Sequence, residues 1–138
     1  MISQRLQLKN KIIFILIFIF IPLIQLFAAT EIIDIKIAKD IKDLKPINVG
    51  RVFSKDVGGL VCFTEVKTDE YPTSITHLWI YNNNIMAEVP LSVNGKTWKT
   101  YSTKNIYPKW TGKWRVEIFD NNGELIDSIT FRIVDEKK

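Results

Sequence analysis

The chain has 138 residues and a mass of 16.0 kDa, and 46% of its residues are hydrophobic. Its formal net charge of +4 is uneven, because three basic residues (Arg5, Lys9, Lys11) precede every acidic one; from Thr30 onward sixteen basic residues face fifteen acidic ones. That near balance argues against a nucleic-acid binder, and a single Cys with a single His excludes an intrachain disulfide, a multi-Cys/His zinc site and an iron–sulfur cluster, so we expect no metal or cofactor.

An apolar run occupies residues 12–27; three cations precede it, and Ala28 and Ala29 follow it. This order of charged, apolar and small residues is typical of a secretory signal. We therefore predict an export helix in residues 1–29 and an extracytoplasmic domain, periplasmic or secreted, in residues 30–138. The small-residue cleavage rule is poorly met, so an uncleaved anchor that tethers the domain to the inner membrane stays open. Membrane contact is expected only through residues 12–27.

Alternation of apolar and polar residues dominates the body of the chain and indicates β-strands. Between the first two alternating segments, Lys39 to Lys45 could form a short helical turn that Pro46 would end. Asn94-Gly95 is a strong signal for a type I′ hairpin, which would pair the strands on either side. The predicted strands are residues 33–39, 59–67, 74–82, 85–93, 96–102, 113–120 and 124–134.

The phase of each alternation predicts which side chains face the core. In the last two strands the inward set includes Trp114, Val116, Ile118, Phe131 and Ile133. The same alternation assigns three further residues to the inward sets of their strands, namely Ile33, Ile85 and Leu125. Pro90 argues that its strand lies at a sheet edge. Together these features predict an all-β fold, an immunoglobulin-like antiparallel β-sandwich of about seven strands.

Several motifs in the second half of the chain recur together in one known family. They are IxHxWxY at Ile75–Tyr81, VPLxV at Val89–Val93, TWKTYS at Thr97–Ser102, GKWRVEIFDNNGELI at Gly112–Ile126 and ITFRI at Ile129–Ile133. In combination they resemble the bacterial domain-of-unknown-function family 2914, over about residues 37–134. The resemblance implies a small β domain, and it carries no activity and no site residues to this chain.

His77 is the only candidate general base, and its strand neighbours Ile75 and Trp79 favour a buried structural role. No GxSxG-like motif marks a nucleophile, and Cys62 lies among apolar residues, where it is expected to be a small core side chain. We therefore expect no enzymatic activity. A small hydrolase that uses His77 remains the alternative, and it requires that His77 be accessible to solvent and within hydrogen-bond range of a Ser, Thr or carboxylate.

The window from Val89 to Val116 holds six cations and no acid, and within it a loop-like stretch places aromatic residues beside positive charge. Flat rings and cations together suit sugar rings and anionic groups. The candidate binding residues are Tyr107, Lys109, Trp110, Lys113 and Arg115. We predict a non-enzymatic binding or interaction module of the bacterial cell envelope, whose partner is an anionic or carbohydrate component or another envelope protein. A membrane-tethered structural accessory domain is a further alternative.

Overall fold

The computed structural model describes residues 17–23 and 29–136. The described part of the chain is all-β and contains nine strands. All seven predicted strands are present, and two short strands that alternation did not reveal lie between the first two of them. The strands are β1 (Thr30–Lys42), β2 (Lys45–Val49), β3 (Val52–Ser54), β4 (Gly58–Thr68), β5 (Thr73–Tyr81), β6 (Asn84–Val93), β7 (Thr97–Ile106), β8 (Gly112–Phe119) and β9 (Leu125–Val134).

The nine strands form two sheets that pack face to face. The first sheet has the order β2-β1-β4-β7 and the second has the order β3-β9-β8-β5-β6. Every pair is antiparallel except β3 with β9, which is parallel. The expected purely antiparallel arrangement of about seven strands is therefore corrected to nine strands with one parallel edge pair. Strand β6, which contains Pro90, is an edge strand as predicted.

The helical turn expected from Lys39 to Lys45 is wrong, because this stretch continues β1 and turns directly into β2. Asp43 and Leu44 form the two-residue connection, with φ values of 51° and 56°, and Lys42 pairs with Lys45 on either side of it. Positive φ at both central residues is the signature of a type I′ hairpin turn, whose twist matches that of the strands it joins. Because neither turn position is glycine, the local sequence pattern did not indicate this hairpin.

The core between the sheets comprises two groups of buried side chains. The predicted burial of Trp114, Val116, Ile118, Phe131 and Ile133 is confirmed, since none of these is more than 2% exposed. The larger group joins both sheets and contains Ile37, Phe53, Leu60, Cys62, Trp79, Ile106, Trp114, Val116, Ile129, Phe131 and Ile133. The smaller group contains Val66, Ile75, Val93 and Ile118.

Three apolar residues assigned to the core lie at the surface instead, and each error occurs at a β-bulge. Ile33 is 47% exposed, Ile85 66% and Leu125 55%. Ile33 is itself the extra residue of a bulge in β1, whereas Ile85 and Leu125 directly precede the unpaired residues Met86 in β6 and Ile126 in β9. A bulge inserts one residue without a partner, so strict alternation beyond it assigns the wrong face.

The predicted Asn94-Gly95 hairpin is also wrong, because β6 and β7 belong to different sheets. Neither residue takes the positive φ that a type I′ turn requires. Gly95 has a packing role instead: a Cβ atom there would lie 3.3 Å from the ring of Trp98. The segment therefore carries the chain from one sheet to the other over the Trp98 ring, which is half-buried against the smaller core group.

The predicted export helix lies mostly outside the described residues. Its described part, residues 17–23, is exposed and has no regular secondary structure, so the helix is not supported there. Within the described ranges no helix is long and apolar enough to cross a membrane. The domain boundary at residue 29 stays a prediction, and the first described strand begins at Thr30.

Candidate functional site

The loop between β7 and β8 is fixed to the end of the two-sheet core by polar contacts to its backbone. The Trp110 N–H donates to the Tyr107 carbonyl at 3.0 Å and closes a turn. The Tyr81 hydroxyl donates to the Thr111 carbonyl at 2.7 Å, and the Trp114 indole N–H donates to the Trp110 carbonyl at 3.0 Å. The loop is therefore positioned by two core aromatic side chains.

The aromatic side chains of this loop form one surface cluster with a lysine from β7. The rings of Tyr107 and Trp110 lie 4.5 Å apart between centroids, and Tyr107 is 54% exposed. The Lys104 Nζ lies 5.0 Å from the centroid of the Trp110 ring, within the range of a cation–π interaction. Lys109 is exposed in the same loop. We call Lys104, Tyr107, Lys109 and Trp110 the loop cluster.

Lys113 and Arg115 do not join the loop cluster. They alternate along β8 with the buried Trp114, so their side chains lie on the outer face of the second sheet. The Arg115 Nε donates to Glu117 Oε1 at 3.1 Å, and a terminal nitrogen of Arg115 donates to Asn83 Oδ1 at 3.1 Å. Of the five predicted binding residues, only Tyr107, Lys109 and Trp110 share the loop. The Arg115 guanidinium is hydrogen-bonded to Glu117 and Asn83 instead.

Lys104 was not among the five predicted binding residues, and in the structure its half-buried side chain belongs to the inward set of β7. It pairs with Leu60 close to the end of the strand, where the edge of the core allows a long side chain to reach the Trp110 ring. Its place in the six-cation window was the only signal available in the sequence.

Four buried side chains are joined by hydrogen bonds into a separate cluster that bridges the two sheets. Thr64 and Ser102 come from the first sheet, whereas His77 and Trp79 come from β5 in the second. The His77 Nδ1 lies 2.6 Å from Ser102 Oγ, and its Nε2 lies 3.2 Å from Thr64 Oγ1. The Trp79 indole N–H donates to Ser102 Oγ at 3.0 Å. We call these four residues the buried polar cluster.

The direction of these hydrogen bonds follows from the donor and acceptor capacity of each group. An indole N–H can only donate, so Ser102 Oγ accepts from Trp79, and the Ser102 hydroxyl proton is assigned to His77 Nδ1. The neutral imidazole then carries its proton on Nε2 and donates to Thr64. Desolvation lowers the pKa of His77 from 6.5 to about 4, which keeps the ring neutral near pH 7.

The predicted structural role of His77 is consistent with this geometry. His77 meets one condition for a hydrolase, since Ser102 lies within hydrogen-bond range of the ring. It fails the other, since the residue is 0% exposed and Ser102 is 4% exposed. Substrate has no access to the buried pair. Both imidazole nitrogens are already hydrogen-bonded to hydroxyl groups, Nδ1 to Ser102 and Nε2 to Thr64, so neither is left for an orienting carboxylate.

Cys62 is fully buried in the larger core group, as predicted. Desolvation raises the pKa of its thiol far above the usual range, so the reactive thiolate is absent near pH 7. Among the described residues, no group of three or more His, Cys, Asp and Glu side chains is arranged to hold a metal ion.

The fold and the two clusters define a small all-β domain of two packed sheets, with a satisfied polar bridge inside and an aromatic–cationic loop outside. Residues 72–133 match the family described as protein of unknown function (DUF2914). This match confirms the family resemblance, over strands β5 to β9; the resemblance upstream, from Ile37, lies beyond the matched range. No curated protein significantly matches the chain.

Proposed function

We propose that this chain is an exported, non-enzymatic binding module of the bacterial cell envelope, with an immunoglobulin-like β-sandwich fold. Its ligand is an anionic or carbohydrate component of the envelope, which docks on the loop cluster. The observation that carries the proposal is the exposed Tyr107 ring, which is tilted against the Trp110 ring, and the Lys104 ammonium, which lies over the Trp110 ring.

The loop cluster combines two properties that suit an acidic sugar. Aromatic rings supply flat apolar area and lose little side-chain entropy on binding, since each has only two side-chain torsions. Lys104 and Lys109 add positive charge beside the rings. The backbone contacts of Tyr81 and Trp114 hold the loop in place before binding, which reduces the ordering cost that a mobile loop would pay.

The export part of the proposal is supported by the order of cations, apolar run and small residues before Thr30. Retention of the apolar run would leave the same module tethered to the inner membrane. In either case the binding surface would lie on the outer side of the cytoplasmic membrane.

The test compares Tyr107→Ala with Tyr101→Ala. Both tyrosines are exposed, at 54% and 39%, but Tyr101 lies on β7 facing away from the core, on the first sheet. The probes are an acidic polysaccharide, polygalacturonate, and a neutral one, dextran, titrated by tryptophan fluorescence. We expect Tyr107→Ala to weaken binding at least tenfold and Tyr101→Ala to leave it unchanged.

Salt provides an internal control, because attraction at an exposed patch is screened within about 8 Å at physiological ionic strength. Binding of polygalacturonate should weaken as salt rises, whereas any dextran binding should not. Equal affinity of both tyrosine variants and the wild type for each polysaccharide would contradict the proposal.

A further inference from the structure

A second cationic feature lies on the outer face of the second sheet, away from the loop cluster. It is a groove of about 250 Å³ at the sheet's β3 edge. Three of the residues that line it are basic, and none is acidic. The lining residues are Arg51, Val52, Lys113, Thr130, Phe131 and Arg132.

Two of the positive charges in this groove lie directly opposite each other on neighbouring strands. Lys113 in β8 and Arg132 in β9 are direct cross-strand partners, and both side chains are exposed. Like charges directly opposite each other destabilise a sheet. Within the described ranges, the ion pairs are Lys36–Asp34, Lys55–Asp135 and Arg115–Glu117, so none involves the groove's three cations.

The third cation of the groove is held in place by a neighbouring strand. The Arg51 Nε donates to the Thr130 carbonyl, and a terminal nitrogen donates to Thr130 Oγ1 at 3.0 Å. The Arg51 carbonyl in turn accepts the Arg132 N–H at 2.8 Å. The guanidinium is thus oriented before any ligand arrives and still has N–H groups to donate, since a guanidinium carries five.

We propose that this groove binds a phosphate group. Arginine presents a planar fork of donors that matches phosphate oxygens, and lysine adds a compact positive charge. A bound phosphate would lie between Lys113 and Arg132 and remove the repulsion between them. The site is independent of the loop cluster, because Lys113 extends to the opposite side of β8 from Trp114, which carries the loop contact.

The experiment titrates the full chain with inorganic phosphate, at constant ionic strength set with chloride, and follows backbone amide NMR shifts. Lys113→Gln is compared with Lys67→Gln, which removes the same charge from an exposed lysine on the other sheet. Arg132→Lys retains the charge but loses the fork. We expect saturable shifts around the groove, at least tenfold weaker binding in Lys113→Gln and Arg132→Lys, and wild-type binding in Lys67→Gln.

A second arm identifies the source of the phosphate. The same proteins are sedimented with vesicles of phosphatidylglycerol and, as a zwitterionic control, of phosphatidylcholine. Binding of free phosphate that depends on Lys113 assigns a soluble phosphate-bearing ligand. Binding only to phosphatidylglycerol, with the same dependence, assigns a lipid headgroup. The proposal is overturned if neither probe binds, or if Lys67→Gln loses as much affinity as Lys113→Gln. Tyr107→Ala should leave phosphate binding unchanged. A negative result for ligand binding at the loop cluster would therefore leave the phosphate proposal standing, and the reverse also holds.

Discussion

The buried imidazole makes the stability of this protein depend on pH between about 4 and 6.5. The pKa of His77 falls from 6.5 in the unfolded chain to about 4 in the fold, because burial disfavours the charged ring. Below pH 6.5 the unfolded state therefore binds a proton that the native state does not. The free energy of unfolding is therefore highest above pH 6.5, where the ring is neutral in both states, and it decreases as the pH falls towards about 4.

The size of the loss follows from the same two pKa values. Each unit of pKa shift corresponds to 1.36 kcal/mol, so the full effect is about 3 kcal/mol, of which about 2 kcal/mol is already lost at pH 5. Small domains are stable by roughly 5–15 kcal/mol, so the change is large enough to measure. The chain contains one histidine, which means that no second imidazole contributes to the slope.

The assay is urea unfolding of the wild type and of His77→Gln at pH 7.5, 6 and 5. Glutamine retains an N–H donor for Thr64 but does not titrate. We expect His77→Gln to be less stable than the wild type at pH 7.5, and the difference between them to shrink by about 2 kcal/mol at pH 5. Stability curves that stay parallel from pH 7.5 to pH 5 would show that the ring is not desolvated as described, and the buried polar cluster would have to be revised.

Three further predictions concern the core, the thiol and the N-terminal segment. Trp114→Ala should lower the free energy of unfolding by about 3–5 kcal/mol, because it leaves a cavity beside Phe131; a loss below about 1 kcal/mol in urea titration would show that Trp114 is not a core residue. Cys62 should react with a thiol reagent such as DTNB only on unfolding, since burial raises its pKa; rapid reaction of the native protein would contradict this. Residues 1–35 fused to a reporter that is active only after export should give signal, and a silent reporter would refute export.

The periodicity of the sequence predicted the strands well but not their defects. Alternation revealed the seven longer strands because each has an inward face that the core must cover. It assigned Ile33, Ile85 and Leu125 to the wrong face, because each bulge shifts the strand register by one residue and no residue type in the sequence marks a bulge. Asn94-Gly95 satisfied the local rule for a hairpin, but β6 and β7 pair with strands of different sheets, and Gly95 packs closely against the Trp98 ring.

The candidate site was predictable only where its residues are adjacent in sequence. Tyr107, Lys109 and Trp110 lie in one loop and could be grouped by inspection. The phosphate groove could not, because it depends on the parallel pairing of β3 with β9, which brings Arg51 and Arg132 together across some eighty residues of chain. A three-residue strand gives no periodicity from which that pairing could be inferred.

The order in which strands alternate between the two sheets has a consequence for how the chain folds. Strand β7 pairs only with β4, so its partner lies before the segment that matches DUF2914. Residues 72–133 expressed alone would leave β7 without its ladder to β4 and would remove Ile37, Leu60 and Cys62 from the larger core group. Nucleation must therefore bring together distant parts of the chain, and such non-local topologies fold in milliseconds to seconds rather than microseconds. Removal of β4 would leave both β1 and β7 without their shared neighbour, and removal of β3 would expose the edge of β9.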